Sequence, residues 1–268
     1  MYPSLFKIGP IVIHAYGLLL AVSFLVGILW AMKRGEKRGI PGNDVMDAGL
    51  ITVVSAIVGS RLFYVVTHVD EFRGRWLDTV NPFQSDGEIG LAGLSMLGGV
   101  LFAVAAIAVF CIHKKIRVFR FFDAAAPSLA FGLGLTRIGC FLNGCCFGKP
   151  GDHPWCMAFP EQSPAGAFLP GLRLHPTQLY SSVYDFLMLA VLLLVDRKKR
   201  ADGFLSALFF VLYGIFRFSI DFVRYYESSV QFRFLGMAFT YNQLISLFMA
   251  LFGLVLMALI SRRKAGKE

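Results

Sequence analysis

Phe204-Leu-Ser-Ala-Leu-Phe-Phe-Val-Leu-Tyr213-Gly-Ile-Phe-Arg217-Phe-Ser-Ile-Asp221-Phe-Val-Arg224 decides the fold. It is apolar over about the ~20 residues that a helix needs to cross a bilayer. Yet it carries a tyrosine, two arginines and an aspartate. Their spacing, i, i+4, i+8 and i+11, places all four on one helical face. Arg61 and Arg137 lie in equally apolar surroundings. An arginine in hydrocarbon costs from about 3 to more than ~10 kcal/mol, so such residues face a polar cavity. The simplest role for the pair is a self-satisfying Arg217–Asp221 ion pair. One carboxylate cannot balance Arg217, Arg224, Arg137 and Arg61, however, and surplus positive charge in a cavity implies an anionic guest. The planar guanidinium fork suits phosphate.

Outward from this stretch, the whole chain has the same character. It has 268 residues, 56% of them hydrophobic and only 16% charged, with a mean hydropathy of +0.64. These values exclude an ordinary soluble domain and predict an all-α integral membrane protein. Seven spans are expected, roughly Ile11–Met32, Asp47–Thr67, Glu88–Ile112, Phe121–Leu142, Thr177–Val195, Phe204–Arg224 and Met237–Ile260. No repeat or low-complexity tract divides them, so residues 1–268 read as one polytopic domain with an extracytoplasmic loop at about 147–174. The first span has no basic n-region and runs into a stop-transfer cluster, so it reads as a retained helix, not a cleaved signal.

Basic residues orient the spans. Four follow the first (Lys33, Arg34, Lys37, Arg38), four the third (Lys114, Lys115, Arg117, Arg120), four the fifth (Arg197, Lys198, Lys199, Arg200) and four the seventh (Arg262, Arg263, Lys264, Lys267). Sixteen of the 26 basic residues thus mark alternate connections. The positive-inside rule puts the N-terminus outside and the C-terminus in the cytoplasm. The net charge of +9 is explained by these topology signals, which argues against nucleic acid as a partner. On this topology the polar and small residues of all seven spans fall in the outer half of the bilayer: His14, Tyr16, Arg61, Tyr64, Ser95, Gly98, Gly99, Arg137, His175, Gln178, Tyr180, Tyr213, Arg217, Asp221, Arg224, Tyr241, Asn242 and Gln243. One cavity is expected there. Gly93, Gly98, Gly99, Gly132 and Gly134 read first as close helix packing. Of the five cysteines, Cys140, Cys145, Cys146 and Cys156 cluster near the end of the fourth span. No paired CxxC spacing marks a metal site. A disulfide from Cys145 or Cys146 to Cys156 and plain packing both remain open.

The residues from Thr136 to Gly148 resemble the signature of bacterial prolipoprotein diacylglyceryl transferases, G-R-x-x-N-F-x-N-x-E-x-x-G. Arg137, Phe141, Asn143 and Gly148 match it. Ile8-Gly9-Pro10 with His14-Ala15-Tyr16-Gly17, Gly59-Ser60-Arg61 with Tyr64, His175-Pro-Thr-Gln178-Leu-Tyr180, and Tyr213-Gly-Ile-Phe-Arg217 with Asp221 and Arg224 resemble further family segments in order. Four positions depart: Leu97 stands where members carry a histidine before the paired glycines, Cys140 and Cys145 replace the signature asparagine and glutamate, and Asp221 replaces a glutamate.

The resemblance implies seven spans in the bacterial cytoplasmic membrane and transfer of diacylglyceryl from phosphatidylglycerol to the lipobox cysteine of a prolipoprotein. A thioether forms and glycerol phosphate leaves. No cofactor and no metal are expected. Arg137 and Arg217 are expected to clamp phosphate, with Asn143 and Tyr16 as hydrogen-bonding groups. His14, Tyr213 or the arginine field alone would ionise the thiol. Arg61, Gly98, Gly99, Gly148, His175, Gln178, Tyr180, Asp221 and Arg224 are expected to line the substrate site. The alternative is a divergent paralogue that binds or moves anionic phospholipid, or lipidates another acceptor.

Overall fold

A computed structural model describes residues 4–8, 11–73, 76–79, 93–198, 200–226, 231–234 and 237–265. Gly9, Pro10, Glu88, Lys199 and Lys267, used in the sequence reading, lie outside them. The described residues are mostly helical. Among them, six helices are long and apolar enough to cross a membrane: α1 (Ala15–Glu36), α2 (Gly42–Thr67), α3 (Met96–His113), α4 (Val118–Asn143), α6 (Thr177–Asp196) and α8 (Tyr241–Ala265). The multi-pass, all-α membrane architecture follows. A seventh apolar helix, α7 (Phe204–Ile220), has 17 residues. The chain forms two compact units, residues 35–121 and residues 1–34 with 122–268.

Helix starts differ from the hydropathy reading: α2 begins at Gly42 instead of Asp47, α3 at Met96 instead of Glu88, and at two places a strand precedes the helix. The β-branched run Ile11-Val12-Ile13 belongs to strand β2 (Ile11–His14), paired antiparallel with β1 (Ser4–Ile8). β-branched residues favour the pleated backbone, so the first helix starts at Ala15, and His14 ends a strand. Likewise β6 (Met237–Thr240) pairs antiparallel with β5 (Gln231–Phe234) ahead of α8. There Thr240 and Gln243 form a capping box. The Gln243 side chain accepts from the Thr240 amide at 2.9 Å, and Thr240 Oγ1 accepts from the Gln243 amide at 3.1 Å.

Helix ends share one device. After α1, α3 and α4 the sixth-to-first backbone bonds Ile40→Gly35, Ile116→Cys111 and Cys145→Cys140 close Schellman motifs. The residue at the turn, Gly39, Lys115 or Gly144, takes positive φ of 74°, 56° or 75°.

In the 35–121 unit, α2 and α3 form an antiparallel hairpin. A methyl group at Gly98 would collide with Phe63 and lie 2.5 Å from the Gly59 carbonyl, and one at Gly99 would strike Ser60. The expected close packing at these glycines is what the backbones do. Arg61 is buried. Its Nε donates to the Thr79 carbonyl at 2.9 Å, and its guanidinium stacks over Phe72 at 5.1 Å.

In the larger unit, Ala126 and Ala130 of α4, Met188 and Leu192 of α6 and Phe209 of α7 make the core, with Tyr213 packed against it. Asp123 of α4, wholly buried, caps the start of α7: its carboxylate accepts from the Gly203 and Ser206 amides, both at 2.8 Å, and from Ser206 Oγ at 2.7 Å. These are the donors a helix start leaves without partners. α7 and α8 pack antiparallel through Gly214 and Gly253, which have no room for a Cβ. The 144–176 segment has its own small core of Phe159, Ala165 and Leu174. It contains β3 (Met157–Ala158), the short helix α5 (Pro164–Phe168) and β4 (Arg173–Leu174).

Candidate active site

The larger unit gathers its polar groups at the end of α4, the start of α6 and the end of α7. Gly148 is the hinge between them. Its amide donates to the His175 carbonyl at 2.9 Å, it forms an antiparallel bridge with Arg224, and a Cβ there would sit 2.7 Å from His175 Cβ. Only glycine allows the Phe147–Lys149 strand to pass so close to the entry of α6. Two buried α6 side chains then secure the turn after α4: Thr177 Oγ1 donates to the Cys146 carbonyl at 2.9 Å and Gln178 Nε2 to the Cys145 carbonyl at 2.7 Å. Gln178 Oε1 stays without a partner.

Arg217 and Arg137 lead different lives. Arg217 donates to Asp221 and, at 2.9 Å, to the Tyr226 hydroxyl. Tyr226 in turn donates to Asp221 at 2.9 Å, and Thr240 Oγ1 reaches the other Asp221 oxygen at 2.8 Å. Asp221 is buried, and burial pushes the Tyr226 phenol up. The i,i+4 pairing foreseen in the sequence is present, embedded in a closed network.

Arg137, half-buried in the last turns of α4, makes no hydrogen bond or ion pair among the described residues. Its charge acts on Tyr213, Cys140, Cys146 and Asp185. Asp185 is 2% exposed and one of its oxygens has no partner. Tyr16, whose backbone lies against α4 where a Cβ on Gly139 would meet it at 3.2 Å, also feels Arg137 and the cysteines. Arg224 stacks over Tyr226 at 5.4 Å.

The structure thus brings Tyr16, Arg137, Tyr213 and Arg224 of the expected set together in one unit, with Asn143 in the last turn of the same helix as Arg137. His14 is exposed at the end of β2. His175 and Tyr180 form a separate pair, Nδ1 to hydroxyl 3.1 Å, beside His153. Burial, and then the charge of His153, push the His175 imidazole down. Arg61, Gly98 and Gly99 belong to the 35–121 unit.

Two features escaped the sequence reading. Asp185 is one: Gln178, Ser181, Ser182 and Asp185 make a buried polar stripe along α6, visible in the sequence as polar residues at i, i+3, i+4 and i+7 within an apolar span. The other is the cysteine arrangement. All five thiols are free, so neither Cys145 nor Cys146 bonds to Cys156. Instead the sulfurs of Cys140, Cys145 and Cys146 lie within 4.8 Å of one another. The Schellman motif at Gly144 brings its third-from-last and following residues, here Cys140 and Cys145, into contact. Positive φ at Cys146, 62°, turns the third thiol the same way. Hydrogen bonds from the two neighbouring thiols, then the charges of Arg224 and Arg137, push the Cys146 thiol down.

Comparison with known proteins agrees with these features. A family profile described as prolipoprotein diacylglyceryl transferase matches residues 3–259. A protein of Bordetella avium (strain 197N) named phosphatidylglycerol–prolipoprotein diacylglyceryl transferase is 33% identical over 270 residues, covering 98% of this chain and 96% of its own. One of the same name from Clostridium tetani (strain Massachusetts / E88) is 31% identical over 225 residues, covering 84% of this chain and 86% of its own. The chain belongs to the prolipoprotein diacylglyceryl transferase family.

Proposed function

We propose that this chain transfers the diacylglyceryl group of phosphatidylglycerol to the lipobox cysteine of prolipoproteins. It would do so as one polytopic domain of the bacterial cytoplasmic membrane, N-terminus outside and C-terminus inside, with the reaction in the outer half of the bilayer. The observation that carries the mechanism is the open guanidinium of Arg137. A half-buried cation with no anion bonded to it among the described residues is the group an anionic headgroup would engage.

The reaction needs two charge changes. The acceptor thiol loses its proton, and the thiolate attacks the glycerol carbon bearing the phosphate ester. The carbon–oxygen bond breaks, its electron pair stays on the phosphate oxygen, and glycerol phosphate departs with the added charge. Arg137 holds that charge as it grows, which is where a preorganised donor acts most strongly. Tyr16 and Asn143 supply further hydrogen bonds. The same positive field favours the thiolate, whose unperturbed pKa of about 8.5 requires only a modest shift. His14 is the candidate proton acceptor, since a neutral imidazole takes up the thiol proton; Tyr213, within the field of Arg137, would serve in that role only as its phenolate. Arg217, its charge matched by Asp221, is assigned to holding the Arg224–Tyr226 segment and β6 in place. Gly148, Gln178, His175 and Tyr180 shape the turn against which the substrates lie. Arg61, Gly98 and Gly99 shape the α2–α3 hairpin. Leu179, Val183, Leu187 and Phe216 line an apolar groove suited to an acyl chain.

The test is purified protein in phosphatidylglycerol vesicles with a lipobox peptide, read by mass spectrometry. Thioether-linked diacylglyceryl peptide and glycerol phosphate are expected in equal amounts. Lipid binding with neither product would contradict the reading and leave a lipid carrier.

A further inference from the structure

We infer that Cys140, Cys145 and Cys146 form a binding site for a single soft, thiophilic cation, of which Cu(I) is the type. Three sulfurs within 4.8 Å of one another need only small rotations to meet one ion at ordinary metal–sulfur distances of about 2.3 Å. The backbone that carries them is already set. Cys140 is held in α4, the Schellman bonds fix Cys145 above it, and Thr177 and Gln178 hold the carbonyls of Cys145 and Cys146. The site is built on rigid elements with a second layer of hydrogen bonds, as metal sites require.

The donor set selects the ion. The cluster offers thiolates alone, with no imidazole or carboxylate among its three ligands, and all-thiolate sites favour soft ions over hard ones. A structural zinc site would want a fourth protein ligand. Charge supports the same choice. On binding, three S–H bonds give three S–metal bonds and three protons pass to solvent; the ion keeps its oxidation state. A monovalent ion on three thiolates leaves two negative charges, and two guanidinium groups, Arg224 and Arg137, act on Cys146. Access is available as well. Cys140 is buried, but Cys145 and Cys146 are half-exposed, so an ion can enter from their side. A disulfide would use two of these thiols and leave the third out of any bond, whereas one ion engages all three. Nothing in this inference depends on the transferase reading.

The experiment titrates fully reduced, purified protein with Cu(I) under anaerobic conditions against a chromogenic Cu(I) chelator of known affinity. One Cu(I) per chain is expected. Cys140→Ser, Cys145→Ser and Cys146→Ser should each weaken binding by more than the about 10–100-fold that loss of an outer partner costs. A Cys111→Ser/Cys156→Ser double variant should bind as the wild type does. Should a variant not fold, the wild type supplies the answer alone: one equivalent of Cu(I) should protect Cys145 and Cys146 from alkylation, read peptide by peptide by mass spectrometry. Absence of binding, binding unchanged by the three substitutions, or alkylation unaffected by Cu(I) would overturn the site.

Discussion

Arg137 and Arg217 occupy the same unit, in helices that share a core, and meet opposite fates. Arg217 has a carboxylate one turn away, a phenol and, through Asp221, a threonine from the next hairpin. Its charge is paired with the Asp221 carboxylate. Arg137 has no such partner among the described residues, and a carboxylate that its charge reaches, Asp185, keeps an oxygen unpaired. The difference separates two uses of a membrane arginine that sequence alone lumps together. One holds the fold at the end of α7. The other keeps its bonding capacity unused among the described residues.

The comparison breaks most visibly on stability. Arg217→Ala would leave Asp221 buried without its counter-ion, and breaking a buried ion pair from one side costs about 3–5 kcal/mol. Thermal unfolding in detergent should therefore fall clearly for Arg217→Ala and stay near the wild type for Arg137→Ala. Equal melting temperatures in the two variants would erase the distinction. At the other end of α7, Asp123→Ala removes a cap shared by three donors. A loss of about 2 kcal/mol is expected, with turnover per folded molecule unchanged; a turnover defect in fully folded protein would show that Asp123 acts beyond the cap. Smallest is Leu97→His in the α2–α3 hairpin. Leu97 is 44% exposed at the start of α3, so a histidine fits there at little cost. If an imidazole assists thiol ionisation, turnover on lipobox peptide should rise a few-fold. No change would show that this chain ionises its acceptor without one.

Much of this was legible in the sequence. Apolar length located the helices, and the i, i+4 spacing of Arg217 and Asp221 anticipated their pair. Paired glycines in α3 signalled the tight hairpin with α2. Strands β2 and β6 were not seen because Ile11-Val12-Ile13 and Met237-Ala-Phe are as apolar as the helices they precede; hydropathy measures transfer to lipid, while the β-branched or cross-strand pairing that decides the backbone is a separate preference. The partner count of each arginine was equally hidden. Arg217 depends on Tyr226 and Thr240, beyond the end of its helix, and no periodicity links those positions. The thiol cluster was within reach: a glycine at position 144 with cysteines four before and one after it is the spacing at which a helix-ending turn brings side chains together.

The most direct test of the open-guanidinium account compares turnover of wild type, Arg137→Ala and Arg137→Lys on phosphatidylglycerol vesicles with lipobox peptide, each protein first shown to melt with the wild type. The account predicts a loss of at least ~100-fold for alanine, the scale of removing one donor to a developing oxyanion. It also predicts poor rescue by lysine, which keeps the charge but loses the fork. Folded Arg137→Ala protein with near-normal turnover would contradict it.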